Sequence, residues 1–208
     1  MLSRLTACIL SFGLLGSAAG SANAPVEAPH VEARMPMRAP PERADVLKAL
    51  QKRRAKNLAA FRAYRKRGVY PHNTFRTGPL NVWRDDSGHL CAMATMMDKD
   101  GKSDLVKSTA EANNFIRLQN VTEGALLEWI MTSGFTIEEI DRIQAPAIYP
   151  DEMFVSPELL KAEDAKLAKG YEATDKWLVT HSKKGLDTAV NRLLKNPWLA
   201  HALVDGTL

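Results

Sequence analysis

The most reactive side chains of the sequence lie close together in the middle of the chain. Cys91 follows His89 by two positions, Asp85 and Asp86 come shortly before them, and His72 lies upstream. A strand would place His89 and Cys91 on the same face. Imidazole and thiolate suit zinc or copper, and a thiol beside an imidazole base can act as a nucleophile. Cys91, His89 and His72 are therefore the candidate catalytic or metal-binding residues.

The surroundings of Cys91 favour a structural role instead. Leu90, Ala92 and Met93 flank it, which is typical of a buried, inert thiol. Zinc sites with a recognisable signature repeat paired ligands, whereas the only other cysteine is Cys8, near the start of the chain. We therefore predict no metal site and no cofactor, and we favour a protein that is not an enzyme. An enzyme or metal site at His89 and Cys91 stays open as an alternative.

The first 24 residues have the pattern of a cleavable signal peptide. Arg4 precedes an apolar run from Leu5 to Leu15, and small or polar residues follow as far as Ala24. The apolar run is shorter than the roughly 20 residues that a membrane-spanning helix needs. The sequence predicts an exported protein, periplasmic or extracellular, with no transmembrane span after cleavage.

Residues 25–41 contain five prolines and are predicted to be a disordered linker. Residues 42–208 are predicted to be a single, mainly helical domain. Its first helix should span residues 42–67, because apolar side chains recur with helical spacing and Gly68 follows as a stop. Arg54 interrupts the apolar stripe, so we expect it either to reach solvent or to pair with a buried acid.

The remaining pattern predicts one small β-hairpin, near residues 80–97, inserted after the first helix. Leu80 to Asp85 and His89 to Met96 are the expected strands. Helices dominate from Ser103 onward, with one starting at a capping box on Thr136 and another at Ser156. Residues 144–151 are expected to be a loop. The predicted fold class is thus mainly α, with one hairpin.

Charge is distributed unevenly along the chain. Residues 34–84 hold 14 Lys or Arg and two acids, a net of +12, and residues 85–208 hold 13 basic and 20 acidic residues, a net of −7. Five cations lie opposite the apolar stripe of the first helix and are candidate anion-binding residues: Lys48, Lys52, Lys56, Arg62 and Lys66. Alternatively, this basic segment packs against the acidic part of the same chain.

The sequence lacks the familiar motifs of several enzyme classes. The sequence has no phosphate-binding Gly-rich loop, no Gly-x-Ser-x-Gly elbow and no His-Glu-x-x-His. A helix-turn-helix spacing at residues 130–143 has an acidic second helix, which argues against specific DNA binding. The favoured hypothesis is an exported, non-catalytic protein that binds an unknown partner protein. A binder of anionic envelope components through the basic helix 42–67 is the first alternative.

Overall fold

The computed structural model of the chain describes residues 38–144, 147–149 and 156–208. The predicted signal peptide and most of the predicted linker lie outside the described residues. The last residues of that linker, 38–41, are described and contact the end of the chain. Arg38 Nη1 donates to Asp205 Oδ2 at 2.9 Å, and His201 Nε2 donates to the Ala39 carbonyl at 2.7 Å. The stretch from Arg38 to Leu208 forms one compact unit.

Helices account for most of the described residues, which confirms the mainly α fold class. Eight α-helices occur within this part of the chain: α1 (Arg43–Arg67), α2 (Ala92–Lys99), α3 (Ser103–Asn113), α4 (Gly124–Thr132), α5 (Ile137–Ile143), α6 (Pro157–Thr180), α7 (Ser182–Leu193) and α8 (Pro197–Asp205). A short 3-10 turn covers Leu118–Asn120, and two short strands are β1 (Gly78–Leu80) and β2 (Ala147–Tyr149).

Helix α1 is the central element, and it packs against α2, α6, α7 and α8. It follows the predicted bounds to within one residue, since its buried positions recur at helical spacing: Val46, Leu50, Arg54, Asn57, Phe61 and Tyr64. Gly68 ends the helix with φ +65°, and its N–H donates to the Tyr64 carbonyl at 3.4 Å. The apolar face of α1 is therefore covered by the protein's own helices.

Two apolar clusters lie along α1. The first surrounds Phe61 and Tyr64 and takes in Trp83, the α2 methionines and Tyr171. The second joins the beginning of α1 to α7 and α8 through Val46, Leu50, Leu186, Val190, Leu193, Leu199 and Leu203. Both clusters contain side chains of α1, so this helix connects the two parts of the core.

The small hairpin is present in reduced form, as a single antiparallel bridge between Arg84 and Leu90. The predicted second strand, His89 to Met96, is wrong beyond Leu90 because the chain turns into helix α2 at Ala92. Residues 92–97 are all buried. A short run that is buried on every side lacks the periodicity that separates a strand from a helix.

Strand β1 pairs with a distant partner. Gly78, Pro79 and Leu80 lie antiparallel to Tyr149, Ile148 and Ala147 respectively. The predicted loop over residues 144–151 is thus corrected to a strand at 147–149, while residues 145, 146, 150 and 151 lie outside the described part.

The predicted helix starts at Thr136 and Ser156 are confirmed. Thr136 Oγ1 accepts from the Glu139 N–H at 3.1 Å, Glu139 Oε2 accepts from the Thr136 N–H at 2.8 Å, and Ser156 Oγ accepts from the Leu159 N–H at 3.3 Å. Within the described ranges, no helix is long and apolar enough to cross a membrane.

Candidate functional site

Asp85 organises the residues around the reduced hairpin. Its buried carboxylate accepts the His89 N–H at 2.8 Å and the His72 N–H at 3.2 Å, and it lies 3.1 Å from His89 Nδ1. The imidazole of His72 faces elsewhere, with Nε2 3.1 Å from Asp164 Oδ1. The structure therefore brings both histidines to one acid, through a backbone N–H in the case of His72.

Cys91 is placed apart from this arrangement, at the start of α2. Its Sγ accepts from the Ala94 N–H at 3.4 Å, and the residue is 5% exposed. Burial raises the pKa of the Cys91 thiol to about 11, which outweighs the opposing effect of nearby backbone N–H groups. The thiol caps a helix and contributes to the core, the surroundings in which cysteines are inert.

Labelling of Cys91 tests this assignment. In a Cys8→Ser variant, where Cys91 is the only thiol, we expect native-state iodoacetamide labelling to be at least about 100-fold slower than in denaturant. The pKa near 11 instead of 9.0 leaves about 100-fold less thiolate at neutral pH, and burial slows access further. Native labelling at the denatured rate would contradict the structural role and restore Cys91 as a candidate nucleophile.

Metal ligands are not clustered in the part of the chain that the structure describes. No group of three or more His, Cys, Asp or Glu side chains there has the arrangement of a metal site. His89 shares Asp85 with the backbone of His72, but Cys91 has no hydrogen bond to either imidazole among the described residues.

The outward face of α1 carries the predicted anion-binding residues, and two of the five are paired within the chain. Lys56 Nζ lies 2.8 Å from Asp100 Oδ1, and Arg62 Nε lies 3.0 Å from Asp175 Oδ1. Arg53 and Arg65, at the border of this face, reach the same two acids. The acidic part of the chain thus neutralises a share of the basic segment.

The other three cations of this face remain exposed. Lys48, Lys52 and Lys66 have no ion pair or hydrogen bond to any described residue. At 100° per residue, Lys48 and Lys66 share one azimuth and Lys52 lies about 40° from it. Small exposed side chains, Ala55, Ala59 and Ala63, lie among them. We name Lys48, Lys52 and Lys66 the lysine face of α1.

Arg54, on the opposite side of α1, fulfils the expectation of a buried acidic partner. Its two terminal nitrogens bind Glu139 Oε2 at 2.9 Å and Oε1 at 2.7 Å, and both residues are less than 5% exposed. The same guanidinium donates to the carbonyls of Gly134 and Leu178, each at 2.9 Å. The Arg54 guanidinium therefore links α1 to α5 through the ion pair and to the end of α6 through a hydrogen bond.

A cleft of about 440 Å³ opens beside this buried pair, between α5, the end of α6 and one face of α7. The α7 side supplies residues at helical spacing: His181, Lys184, Gly185, Thr188 and Arg192. Gly185 makes the approach to α5 tight, since a Cβ there would lie 2.5 Å from Glu139 Oε1. We name this cavity the α7 cleft.

Trp177 forms one wall of the α7 cleft and is enclosed on both ring faces. The His181 ring stacks on it with a centroid distance of 4.2 Å and an angle of 19°. The Arg142 guanidinium lies 4.2 Å from the same centroid, and two groups that close must occupy opposite faces. His181 Nδ1 donates to the Trp177 carbonyl at 2.9 Å, which leaves Nε2 as the only ring nitrogen available for the cleft.

Arg192 has one arm committed to the fold. Its Nη2 donates to the carbonyls of Ile130 at 3.0 Å and Phe135 at 2.9 Å, and its buried Nε finds no hydrogen-bond partner in the described part of the chain. Burial lowers the pKa of the Arg192 guanidinium, and the negative charge of Glu139 opposes that effect. Nη1 has no partner among the described residues and remains available to the cleft.

Sequence reasoning missed the α7 cleft. Its signal was present in the spacing of Lys184, Thr188 and Arg192, which puts three polar side chains on one face of a helix whose apolar stripe is Leu186, Val190 and Leu193. Such a face is ordinarily read as solvent-exposed. The neighbours that enclose it include α5, which is distant in sequence, as well as the end of α6, which directly precedes α7.

Comparison with protein-family models, curated proteins and solved structures gives no match to this chain.

Proposed function

We propose that this chain is an exported, non-catalytic binding protein whose partner presents an anionic surface to the lysine face of α1. The observation that carries the proposal is the contrast along one helix. Five cations of α1 are paired with acids of the chain: Arg53, Arg54, Lys56, Arg62 and Arg65. In contrast, Lys48, Lys52 and Lys66 are exposed and have no partner within the part of the chain that the structure describes. Unpaired cations aligned on one face attract an anionic partner.

Because the apolar side of α1 is buried, only its charged side is available to such a partner. The apolar side of the helix is covered by the core, so it offers no wedge to insert into a bilayer. Contact is electrostatic, worth about 1 kcal/mol per lysine at an anionic membrane surface and screened by salt. Lys48 and Lys66 are separated by about 27 Å along the helix, which suits an extended anionic surface better than a small ion.

Two sources supply such a surface: the acidic face of a partner protein, or an anionic component of the cell envelope. Two exposed aromatic residues favour a protein. Phe75 and Phe115, 40% and 39% exposed, form an edge-to-face pair with centroids 5.1 Å apart. Aromatic side chains are enriched at protein interfaces, and a contacting exposed pair is more informative than a single exposed residue.

The lysine face is tested with a triple charge reversal, Lys48→Glu, Lys52→Glu and Lys66→Glu. The probes are poly-L-glutamate, which stands for an acidic protein, and phosphatidylglycerol vesicles, which stand for the envelope. We expect the wild-type protein to bind at least one probe at low salt, measured by fluorescence anisotropy and co-sedimentation. The triple variant should bind at least about 100-fold more weakly, because three contacts of about 1 kcal/mol are lost.

A matched variant separates the lysine face from net charge. Lys107→Glu, Lys183→Glu and Lys195→Glu change the charge equally at exposed lysines of α3, α7 and the segment after it. Binding should persist in this control. Equal loss in both triple variants, or no wild-type binding to either probe at low salt, would refute the lysine face as the binding surface. Preference for poly-L-glutamate over vesicles would identify a protein as the source.

A further inference from the structure

The α7 cleft has features of a small-ligand site that the lysine face does not share. Its volume of about 440 Å³ falls within the range of ligand pockets. Among the described residues, the lining donors without a partner include Lys184 Nζ, Thr188 Oγ1 and Arg192 Nη1 on α7 and the indole N–H of Trp177 on α6. His181 Nε2 is a free acceptor, because the ring proton lies on Nδ1. This inference does not depend on the proposed function, because it concerns a different face of the molecule.

The charge of the cleft favours an anion. Lys184 and Arg192 line it without acidic partners among the described residues, while the Glu139 carboxylate is already neutralised by Arg54. Glu138 is exposed at the rim, and its ion pair within the described ranges is a 3.5 Å contact with Arg142. Arg142 in turn lies over Trp177, so the cationic groups around the cleft outnumber the free carboxylates.

The geometry of Arg192 distinguishes between kinds of anion. A carboxylate is bound best by two parallel donors of one guanidinium. In Arg192, Nη2 is held by two carbonyls and Nε is buried, so a two-pronged contact is blocked. One arm of Arg192, one ammonium and one hydroxyl are separate single donors, and a phosphate group with three terminal oxygens gathers single donors from different side chains.

The organic part of the ligand is limited by Trp177. Both faces of its ring are covered, by His181 and by Arg142, so no ligand ring can stack there. Among the described lining residues, the apolar surface for a ligand comes mainly from the edge of the Trp177 ring and the side chain of Ile137. A nucleobase, which depends on stacking, is disfavoured, and a compact aliphatic or polyol body fits.

We propose that the α7 cleft binds a small phosphate monoester with an aliphatic or polyol body, with Lys184, Thr188 and Arg192 holding the phosphate. His181 Nε2 accepts from an adjacent hydroxyl of the ligand. The imidazole is positioned for this by its Nδ1 hydrogen bond to the Trp177 carbonyl.

The probe is glycerol 3-phosphate, titrated into the purified protein by isothermal calorimetry, with glycerol and succinate as the uncharged and carboxylate controls. We expect glycerol 3-phosphate to bind and the two controls to bind at least about tenfold more weakly. Lys184→Gln should weaken binding about tenfold or more, since it removes a charge-assisted hydrogen bond to the phosphate. Thr188→Val, which keeps the side-chain shape, should weaken it by a smaller factor.

Lys183→Gln is the matched control, because Lys183 neighbours Lys184 on α7 but does not line the cleft. Its affinity should stay within about twofold of the wild type. Arg192 is left unchanged, since it also holds the carbonyls of Ile130 and Phe135. Equal effects of the two glutamine variants, absence of glycerol 3-phosphate binding, or equally tight succinate binding would each overturn the proposal.

Discussion

Replacing Arg54 with methionine is expected to lower the free energy of unfolding by about 3–5 kcal/mol. Methionine fills much of the same volume but leaves the Glu139 carboxylate buried beside apolar groups without its cation. The substitution also removes the donors to the carbonyls of Gly134 and Leu178. Urea denaturation followed by circular dichroism measures the change.

Two further variants separate the ion pair from general truncation. Arg43→Met removes an exposed arginine of the same helix whose pair with Asp187 is 3.3 Å long, and it should cost less than about 1 kcal/mol. Arg54→Met combined with Glu139→Gln removes the buried charge too, so the loss should be smaller than the sum of the single losses. An Arg54→Met loss no larger than that of Arg43→Met would refute the structural role of the pair.

The Arg54–Glu139 pair shows which contacts can be predicted from the sequence and which cannot. Arg54 and Asn57 interrupt an otherwise apolar stripe, and for Arg54 this pattern predicts either a side chain that reaches solvent or a buried acidic partner. The structure has the acidic partner. The partner, Glu139, lies 85 positions away. Its role in the capping box with Thr136 can be read locally, but its second role, toward α1, cannot. Helix bounds and caps follow from local chemistry, whereas the contacts between helices depend on the packed fold.

The hairpin shows the opposite case. Leu90 to Met97 is short and almost wholly apolar, so the pattern fits a buried strand and a buried helix equally. The structure has helix α2 there, capped by Cys91, and it pairs β1 with β2 across an interval that contains the four helices α2 to α5. The bridge at Leu90 keeps His89 and Cys91 in a short extended segment, but Asp85 holds the His89 imidazole while the Cys91 thiol caps α2. The candidate chemistry at these two residues stays a prediction.

The positions of the five predicted cations on α1 agree with the structure. Helical spacing places Lys48, Lys52, Lys56, Arg62 and Lys66 opposite the apolar stripe, and the structure has them exposed on that side. What the sequence leaves open is the pairing. Asp100 and Asp175 take up Lys56 and Arg62, and only a packed structure separates these from the three unpaired lysines.

Replacing Gly134 with alanine is expected to cost about 3 kcal/mol of unfolding free energy. Gly134 has φ +85°, a conformation that costs an alanine about 1–2 kcal/mol. An added Cβ would also lie 2.6 Å from the Leu50 carbonyl oxygen and 2.8 Å from the Arg54 nitrogen. These are backbone atoms of α1, so the contact is relieved only by moving the helix, at a further cost of about 1–3 kcal/mol.

Gly68→Ala isolates the conformational part of this cost. Gly68 has φ +65° at the end of the same helix, and an added Cβ there would meet nothing within 4 Å. Its loss should therefore stay near 1 kcal/mol, measured by the same denaturation experiment. If the two substitutions cost the same, then α1 can retreat from Gly134 without penalty. In that case, the hydrogen bond from Arg54 to the Gly134 carbonyl does not limit how closely α1 packs against the residues before α5.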